Sequence, residues 1–298
     1  MIASYQKLEK KDLEKRAEKA WELLFPCRVC PRKCEVDRIK GEKGDCEMSA
    51  DLVICSFSAH FGEEAPLVGA NGSGTIFFSS CNLGCLYCQN YDISQERTGK
   101  RVSMGGLATM MLELQAQDCH NINFVSPSIW VPQILKALTI AQDKGLNIPL
   151  VYNSGGYDSV ETLQLLDGVV DIYMPDFKYA DSKVAEKYSL VQNYFEVAKD
   201  AIAEMHKQVG DLVINKDGIA EKGLLVRHLV LPDDLAGTEK VMSFLASLSK
   251  DTYVNIMNQY YPTFKARLFN EFSRRITVEE YKKAQKLAKE LGLHRFDK

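Results

Sequence analysis

The sequence predicts an α/β fold with a parallel sheet, and three observations predict it. From Thr75 onward, short apolar runs rich in β-branched and aromatic residues alternate with helical stretches. These runs read as strands buried on both faces. Six of them occur, at 75–78, 122–126, 148–153, 170–175, 224–231 and 253–257. A β/α repeat of this kind implies right-handed crossovers within one sheet, and six units are too few to close an eight-stranded barrel.

The remaining elements follow in chain order. Residues 8–25 predict a helix, because Leu13, Ala17, Ala20, Trp21 and Leu24 recur at three- and four-residue steps between lysines and glutamates. Next come Cys27-Arg-Val-Cys30-Pro-Arg-Lys-Cys34 and, after Gly41 and Gly44, Cys46. Residues 52–61 alternate and predict a strand, with Cys55 as a core thiol. The stretch from His60 through Glu64 to Pro66 is expected to anchor the cysteine-rich segment to the sheet. Positioning polar groups near the site is its alternative use. Helices are expected near 106–119, 131–144, 160–166, 182–209 and 238–249. A last amphipathic helix is expected over 277–291, with Thr277 as N-cap and Gly292 just past its end. The expected division is an N-terminal helix and metal-binding segment (1–71), the barrel (72–265) and a helical extension (266–298).

Composition narrows the function classes. The 298 residues are 46% hydrophobic and 26% charged, as in an ordinary globular protein. A formal net charge of −3 and the lack of a long basic patch argue against a nucleic-acid partner. No apolar run reaches membrane-spanning length and the charged N-terminus is unlike a signal peptide, so a cytoplasmic location without membrane partners is expected. In that compartment nine cysteines speak for metal binding over disulfides.

Two cysteine groups carry the chemistry. Cys81-Asn-Leu-Gly-Cys85-Leu-Tyr-Cys88 places three soft ligands at C-x3-C-x2-C spacing directly after the run 75–78. Three thiolates suit an iron–sulfur cluster or zinc, and they leave one metal position open, as metal-centred catalysis requires. Cys27, Cys30, Cys34 and Cys46 describe instead a closed four-thiolate knuckle whose folding energy a metal would supply. Zinc, a single iron and a second [4Fe–4S] cluster all fit it. A structural zinc or single iron is the expectation, with Arg32, Lys33, Arg38, Lys40 and Lys43 offsetting the anionic ligand set or facing an acidic partner.

In a parallel α/β barrel, chemistry collects at the C-terminal strand ends. Those ends supply Ser126-Pro-Ser128, Asn153-Ser-Gly-Gly-Tyr157, Asp176-Phe-Lys178, Arg227-His228 and Asn258-Gln-Tyr-Tyr-Pro262. A buried arginine without an anion is costly, so Arg227 is expected to bind a carboxylate. Asn153 and Ser154 offer small polar groups, and Tyr87 and Tyr260 offer flat aromatic faces. Asp176 and Lys178 share a strand face, either as site residues or as an ion pair at the barrel mouth.

The cysteine loop, with Tyr87 before its last cysteine, resembles that of the radical S-adenosylmethionine (SAM) enzymes. The branch it is most similar to contains pyruvate formate-lyase activating enzyme. The resemblance implies an open (β/α)6 partial barrel, a [4Fe–4S] cluster on Cys81, Cys85 and Cys88, and SAM chelated to the unique iron. It further implies one-electron cleavage of SAM to methionine and a 5′-deoxyadenosyl radical that abstracts hydrogen. An electron donor such as a reductase, flavodoxin or ferredoxin is implied with it. By position, Asn153-Ser-Gly155, Asp176-Phe-Lys178 and Arg227 match the family's third-strand turn, its Asp-x-Lys pair and its fifth-strand SAM contact. Where activating enzymes carry Gly-Gly-Glu for the SAM amino group, this chain reads Val125-Ser-Pro-Ser128, and Ser126 is expected to take that contact. An aspartate preceding the third-strand turn is replaced by Tyr152, and Tyr260 stands where a histidine is found near SAM. The leading functional expectation is hydrogen abstraction from a protein such as a glycyl-radical enzyme. A radical enzyme acting on a small molecule or another protein, and a non-catalytic multi-cysteine interaction protein, are the alternatives.

Overall fold

A computed structural model describes residues 2–297. Ten strands form one sheet in the order β10-β9-β8-β6-β5-β4-β2-β1-β3, with β7 paired to β8. They are β1 (Val53–His60), β2 (Ser73–Phe78), β3 (Lys100–Arg101), β4 (Ile122–Val125), β5 (Leu150–Ser154), β6 (Ile172–Pro175), β7 (Val213–Ile214), β8 (Ala220–Leu229), β9 (Tyr253–Met257) and β10 (Arg295–Phe296). The six expected strands are β2, β4, β5, β6, β8 and β9, paired in parallel throughout. β1 lies antiparallel on β2 and carries β3, so the sheet is open, a partial barrel.

The helices are α1 (Lys10–Glu22), α2 (Ala65–Val68), α3 (Tyr91–Ser94), α4 (Met104–Ala116), α5 (Val131–Asp143), α6 (Val160–Gln164), α7 (Ser182–Ser189), α8 (Tyr194–Val209), α9 (Thr238–Leu248) and α10 (Val278–Glu290). Helix α1 buries Leu13, Ala17 and Ala20 and packs on α5, where Lys136 lies over the Trp21 ring at 3.6 Å. Two expectations need correction. The single helix over 182–209 is two, because Leu190 and Asn193 adopt left-handed backbone (φ 55° and 53°) and break it. Cys55 is half-buried at a bulge, where the β1–β2 register slips between Ile54 and Ser56.

The connector after β1 also departs from expectation. It reaches the inside of the barrel and does not serve the cysteine knuckle. Leu67 of α2 packs with Val151, Ile172, Leu225 and Tyr253, which sit on the inward face one layer below Asn153 and Arg227. Just above that apolar floor, Glu64 Oε1 accepts from Asn255 Nδ2 at 2.9 Å.

Candidate active site

The cysteine loop begins where β2 ends. Trp130 Nε1 donates to the Ser79 carbonyl (2.9 Å), and Ser80 turns the chain through left-handed backbone, φ 69°. The C-terminal end of α7 then holds the loop: Gly84 N–H donates to Ser189 O and Leu86 N–H to Tyr188 O, both at 2.8 Å. This contact is the physical reason that α7 stops at Ser189. A Cβ at Gly84 would stand 2.9 Å from the Leu190 side chain, so only glycine permits the approach without displacement.

Each thiol meets a donor supplied by the fold. Leu83 N–H points at Cys81 Sγ (3.4 Å), Ser189 Oγ at Cys85 Sγ (3.0 Å), and Ser94 Oγ lies 3.1 Å from Cys88 Sγ. Burial pushes Cys81 up to about 12 and Cys85 up to about 11, with Lys178 opposing both. Protons must therefore be displaced when these thiols bind metal.

All three cysteines line one cavity of about 250 Å³ at the C-terminal ends of the strands. Val125 and Ser126 contribute from β4, Asn153, Ser154 and Gly155 from β5, and Asp176 and Lys178 from beyond β6. Arg227 and Leu229 of β8, with Met257 and Gln259 around the end of β9, complete the wall. Ser126 has left-handed backbone (φ 60°), so the chain turns sharply into Pro127 at the cavity edge.

A buried ion network crosses this wall. Arg227 Nε donates to Asp176 Oδ1 and its Nη2 to Asn153 Oδ1, each at 2.7 Å. Arg227 Nη1 faces Glu63 (3.9 Å) and Glu64 (3.8 Å), while Lys178 Nζ binds Asp176 Oδ2 at 2.6 Å. Burial alone would raise Asp176, but Arg227 and Lys178 hold it below its ordinary range. Burial raises Glu63, and Arg227 only partly offsets it. Glu64 Oε2 and both amide atoms of Asn123 are buried without a protein partner. Two edges of the Arg227 guanidinium are thus committed to the protein. Lys178 has one carboxylate partner and electrostatic neighbours in Cys81 and Cys85.

A family model of the radical SAM superfamily matches residues 75–220, from β2 to the start of β8, which holds the cysteine loop and the part of the wall from β4, β5 and β6. The chain belongs to the radical SAM superfamily. An uncharacterized protein of Methanocaldococcus jannaschii is 35% identical over 290 residues, covering 94% of this chain and 79% of that protein. Among solved structures, a radical SAM methyltransferase from Sphaerobacter thermophilus has a TM-score of 0.50 at 13% identity, over 74% of this chain and 66% of that one. The FeFe-hydrogenase maturase HydG from Carboxydothermus hydrogenoformans has a TM-score of 0.51 at 12% identity, over 72% of this chain and 49% of that one. At such identities the likeness shows the fold.

Radical SAM membership implies a [4Fe–4S] cluster and SAM, and the donor set fits them. Three soft ligands face one cavity, beside an ammonium and a row of strand-end polar groups. Of the positions expected from sequence, Tyr87, Ser126, Asn153, Ser154, Asp176, Lys178 and Arg227 all line this cavity. Tyr260 does not. It is buried behind Tyr87, edge-on to that ring at 6.0 Å, and its hydroxyl donates to Phe272 O at 2.6 Å. Tyr87 in turn stacks on Phe272 at 5.2 Å. Sequence reasoning missed Ser94 and Ser189, and held Glu63 and Glu64 only through the alternative use of their connector. Only the adjacent Glu63-Glu64 pair, in an otherwise apolar connector, carried a local signal.

The four N-terminal cysteines sit in a compact coil on the same side of the barrel. Cys27 N–H donates to Val36 O (3.0 Å) and Glu35 N–H to Cys27 O (3.1 Å), folding Cys34 back beside Cys27. A Cβ on Gly44 would stand 2.7 Å from Cys34 Sγ, so glycine leaves room for that thiol. Burial pushes Cys30 up to about 12, and its three fellow cysteines are near enough to raise it further. Among the described residues no three His, Cys, Asp or Glu side chains are closed around a single ion. Arg38 and Arg32 have structural partners. Arg38 is buried over Trp130 and donates to Ile129 O and Ser49 O, both at 2.9 Å. Arg32 donates to Asn82 O (2.7 Å) and Leu190 O (2.8 Å).

Proposed function

We propose that this radical SAM protein generates a 5′-deoxyadenosyl radical and uses it to abstract hydrogen from a protein substrate such as a glycyl-radical enzyme. One observation carries the reading: three cysteines from a single loop open onto the cavity that the polar strand ends also line. A fourth protein ligand would close the metal position that SAM needs.

In this reading Cys81, Cys85 and Cys88 hold the cluster. When bound, the cluster and SAM supply reductive cleavage of the sulfonium bond. Lys178 offers ammonium protons to the SAM carboxylate, held in place by Asp176. Arg227 fixes the orientation of Asp176 and Asn153 and adds positive charge beneath the carboxylate. Ser154, whose hydroxyl donates to Asp158 at 2.6 Å and accepts from Gly156 N–H at 3.2 Å, borders the space for the ribose. Ser126 serves the SAM amino group, and Tyr87 borders the space for adenine. The connector carrying Glu63, Glu64 and Leu67 closes the far end of the barrel, excluding water from the radical. Cys27, Cys30, Cys34 and Cys46 hold a second metal centre.

A protein substrate is supported by the rim of the mouth. Gln259 lines the cavity, and the segment that follows exposes Tyr261 (39%) and Leu268 (77%). Exposed apolar side chains on this segment suit contact with a macromolecular surface. Anaerobic reconstitution, reduction in the presence of SAM and assay for 5′-deoxyadenosine test the chemistry. A glycyl-radical signal by electron paramagnetic resonance (EPR), after mixing with a candidate protein, tests the substrate class. Absence of 5′-deoxyadenosine from cluster-replete protein removes the reading.

A further inference from the structure

We infer that residues 27–46 hold a redox-active iron–sulfur centre that passes single electrons to the barrel site across the Cys46–Ser80–Cys81 contact. The inference rests on the radical SAM reading above and assigns the knuckle a task within it.

The contact is direct and buried. Ser80 Oγ donates to the Cys46 carbonyl at 2.6 Å, and Ser80 is covalently joined to Cys81. Ser80 is 1% exposed and holds a left-handed conformation that L-residues seldom adopt. That conformation is what aims its hydroxyl away from the barrel and at the knuckle. On the other side of Cys81, Arg32 Nε donates to the Asn82 carbonyl at 2.7 Å. Both peptide neighbours of one barrel cysteine are therefore bonded to the four-cysteine segment. A knuckle needed only to fold the N-terminus would have no reason to converge on that residue.

Exposure gives the knuckle an outer and an inner end. Cys34 is partly exposed, whereas Cys27, Cys30 and Cys46 are 6%, 7% and 6% exposed. Electrons can enter at Cys34 and leave beside Cys46. The barrel's own mouth is where SAM and substrate must sit, so a donor protein and a protein substrate would compete for it. A side entrance removes the competition.

The ligands also order the potentials. Reduction potential falls with negative charge at the ligands and rises with hydrogen bonds to the sulfurs. The barrel thiols receive Leu83 N–H, Ser189 Oγ–H and the Ser94 hydroxyl, with Lys178 nearby. At the knuckle, Cys34 Sγ receives Asp45 N–H at 3.5 Å and Cys30 the backbone N–H of Arg32. The larger donor set at the barrel favours transfer from knuckle to barrel. Zinc, which has no accessible second oxidation state, cannot fill this role. In balance, the hydroquinone of a flavodoxin gives up one electron, the knuckle relays it, and the SAM sulfonium accepts it as its carbon–sulfur bond breaks to methionine and the deoxyadenosyl radical.

The test uses the full chain, reconstituted anaerobically, with a reduced flavodoxin and dithionite as alternative donors. Wild-type protein should hold about eight irons and two EPR-distinct clusters. The double variant C27A/C30A should hold about four and keep the barrel signal. Its 5′-deoxyadenosine formation should fall roughly tenfold or more with flavodoxin and stay near wild type with dithionite. Zinc in the wild-type knuckle, an unchanged flavodoxin rate, or an equal loss with both donors would overturn the inference. Should C27A/C30A fail to fold, S80G keeps every ligand and the backbone conformation while removing the hydroxyl. Stopped-flow bleaching of the barrel cluster by flavodoxin should then slow severalfold, and an unslowed trace overturns the relay. If wild-type protein with both clusters makes no 5′-deoxyadenosine from either donor, the radical SAM reading itself fails, a different outcome from loss of the relay alone.

Discussion

The two cysteine sets use the same ligand and are held in opposite ways. The barrel loop is fixed by the protein around it. Its backbone is bonded to α7, its entry strand lies inside the sheet, and each thiol already has a donor from the fold. The knuckle has no helix and no strand over 27–46, only an isolated bridge at Leu24–Cys27 and turns through Lys33, Glu35 and Gly41 at positive φ. A segment with so few backbone bonds cannot offset its own ordering entropy, so a metal on the proposed four-cysteine site would complete the fold. The comparison teaches that an open catalytic position needs a pre-built loop, while a closed site can let the ion do the organising.

The sharpest break between the two comes from single substitutions. Cys81→Ala, Cys85→Ala or Cys88→Ala should abolish the barrel cluster and 5′-deoxyadenosine formation, while the melting transition and circular dichroism stay near wild type. Full product formation by any of the three would refute the assignment. Stripping metal with a chelator should act the other way round. Hydrogen exchange should rise sharply across 27–46 and leave β2, β4, β5 and β6 protected. Equal loss of protection in both regions would show that the barrel also depends on its cofactor.

Much of this contrast was legible in the sequence. The six core strands were readable because strands buried on both faces leave apolar runs, and the cavity residues because they follow those runs directly. Ser189 and Ser94 were not, since a hydroxyl bonded to a thiol 104 residues away leaves no local trace. Nor was the break at Leu190 and Asn193, where docking of the cysteine loop overrides a sequence that is helical in character on both sides. Tyr260 misled for a related reason. A tyrosine beside an apolar run can face the cavity or the packing behind it, and Phe272 decided the matter from outside the local pattern.

Arg227 sharpens the comparison within the barrel. Its removal strands Asp176, Glu63 and Glu64 in a buried site with only Lys178 bonded in compensation, which should cost about 3–5 kcal/mol. Arg227→Ala should therefore lower the melting temperature and weaken SAM binding in cluster-replete protein. A second change, Asp176→Asn, should recover part of the stability and none of the SAM affinity. If Arg227→Ala loses affinity without stability, the arginine acts on SAM and the network is incidental.

The smallest effect lies at α10, which holds its end with side chains alone and so serves as a metal-free control. Thr277 Oγ1 accepts from Glu280 N–H (3.2 Å), and Glu280 Oε2 accepts from Thr277 N–H (2.7 Å), a reciprocal capping box. Arg274 donates to the same carboxylate at 2.8 Å and, with the backbone donors, holds Glu280 down at about 2 against an ordinary 4.5. A carboxyl depressed on folding adds stability above its unfolded value and loses it as pH falls toward the folded one. The contribution is thus complete above about pH 4.5 and fades toward pH 2. Melts of wild type and Glu280→Gln should differ by a few degrees at pH 6 and converge as the buffer is taken down through that window. On the proposed metal centre, acid should protonate the knuckle's thiolates and free the ion in the same titration, seen as released iron. A gap between the two melts that persists to pH 2 would mean that the hydrogen bonds of the box, and not the carboxylate charge, hold α10.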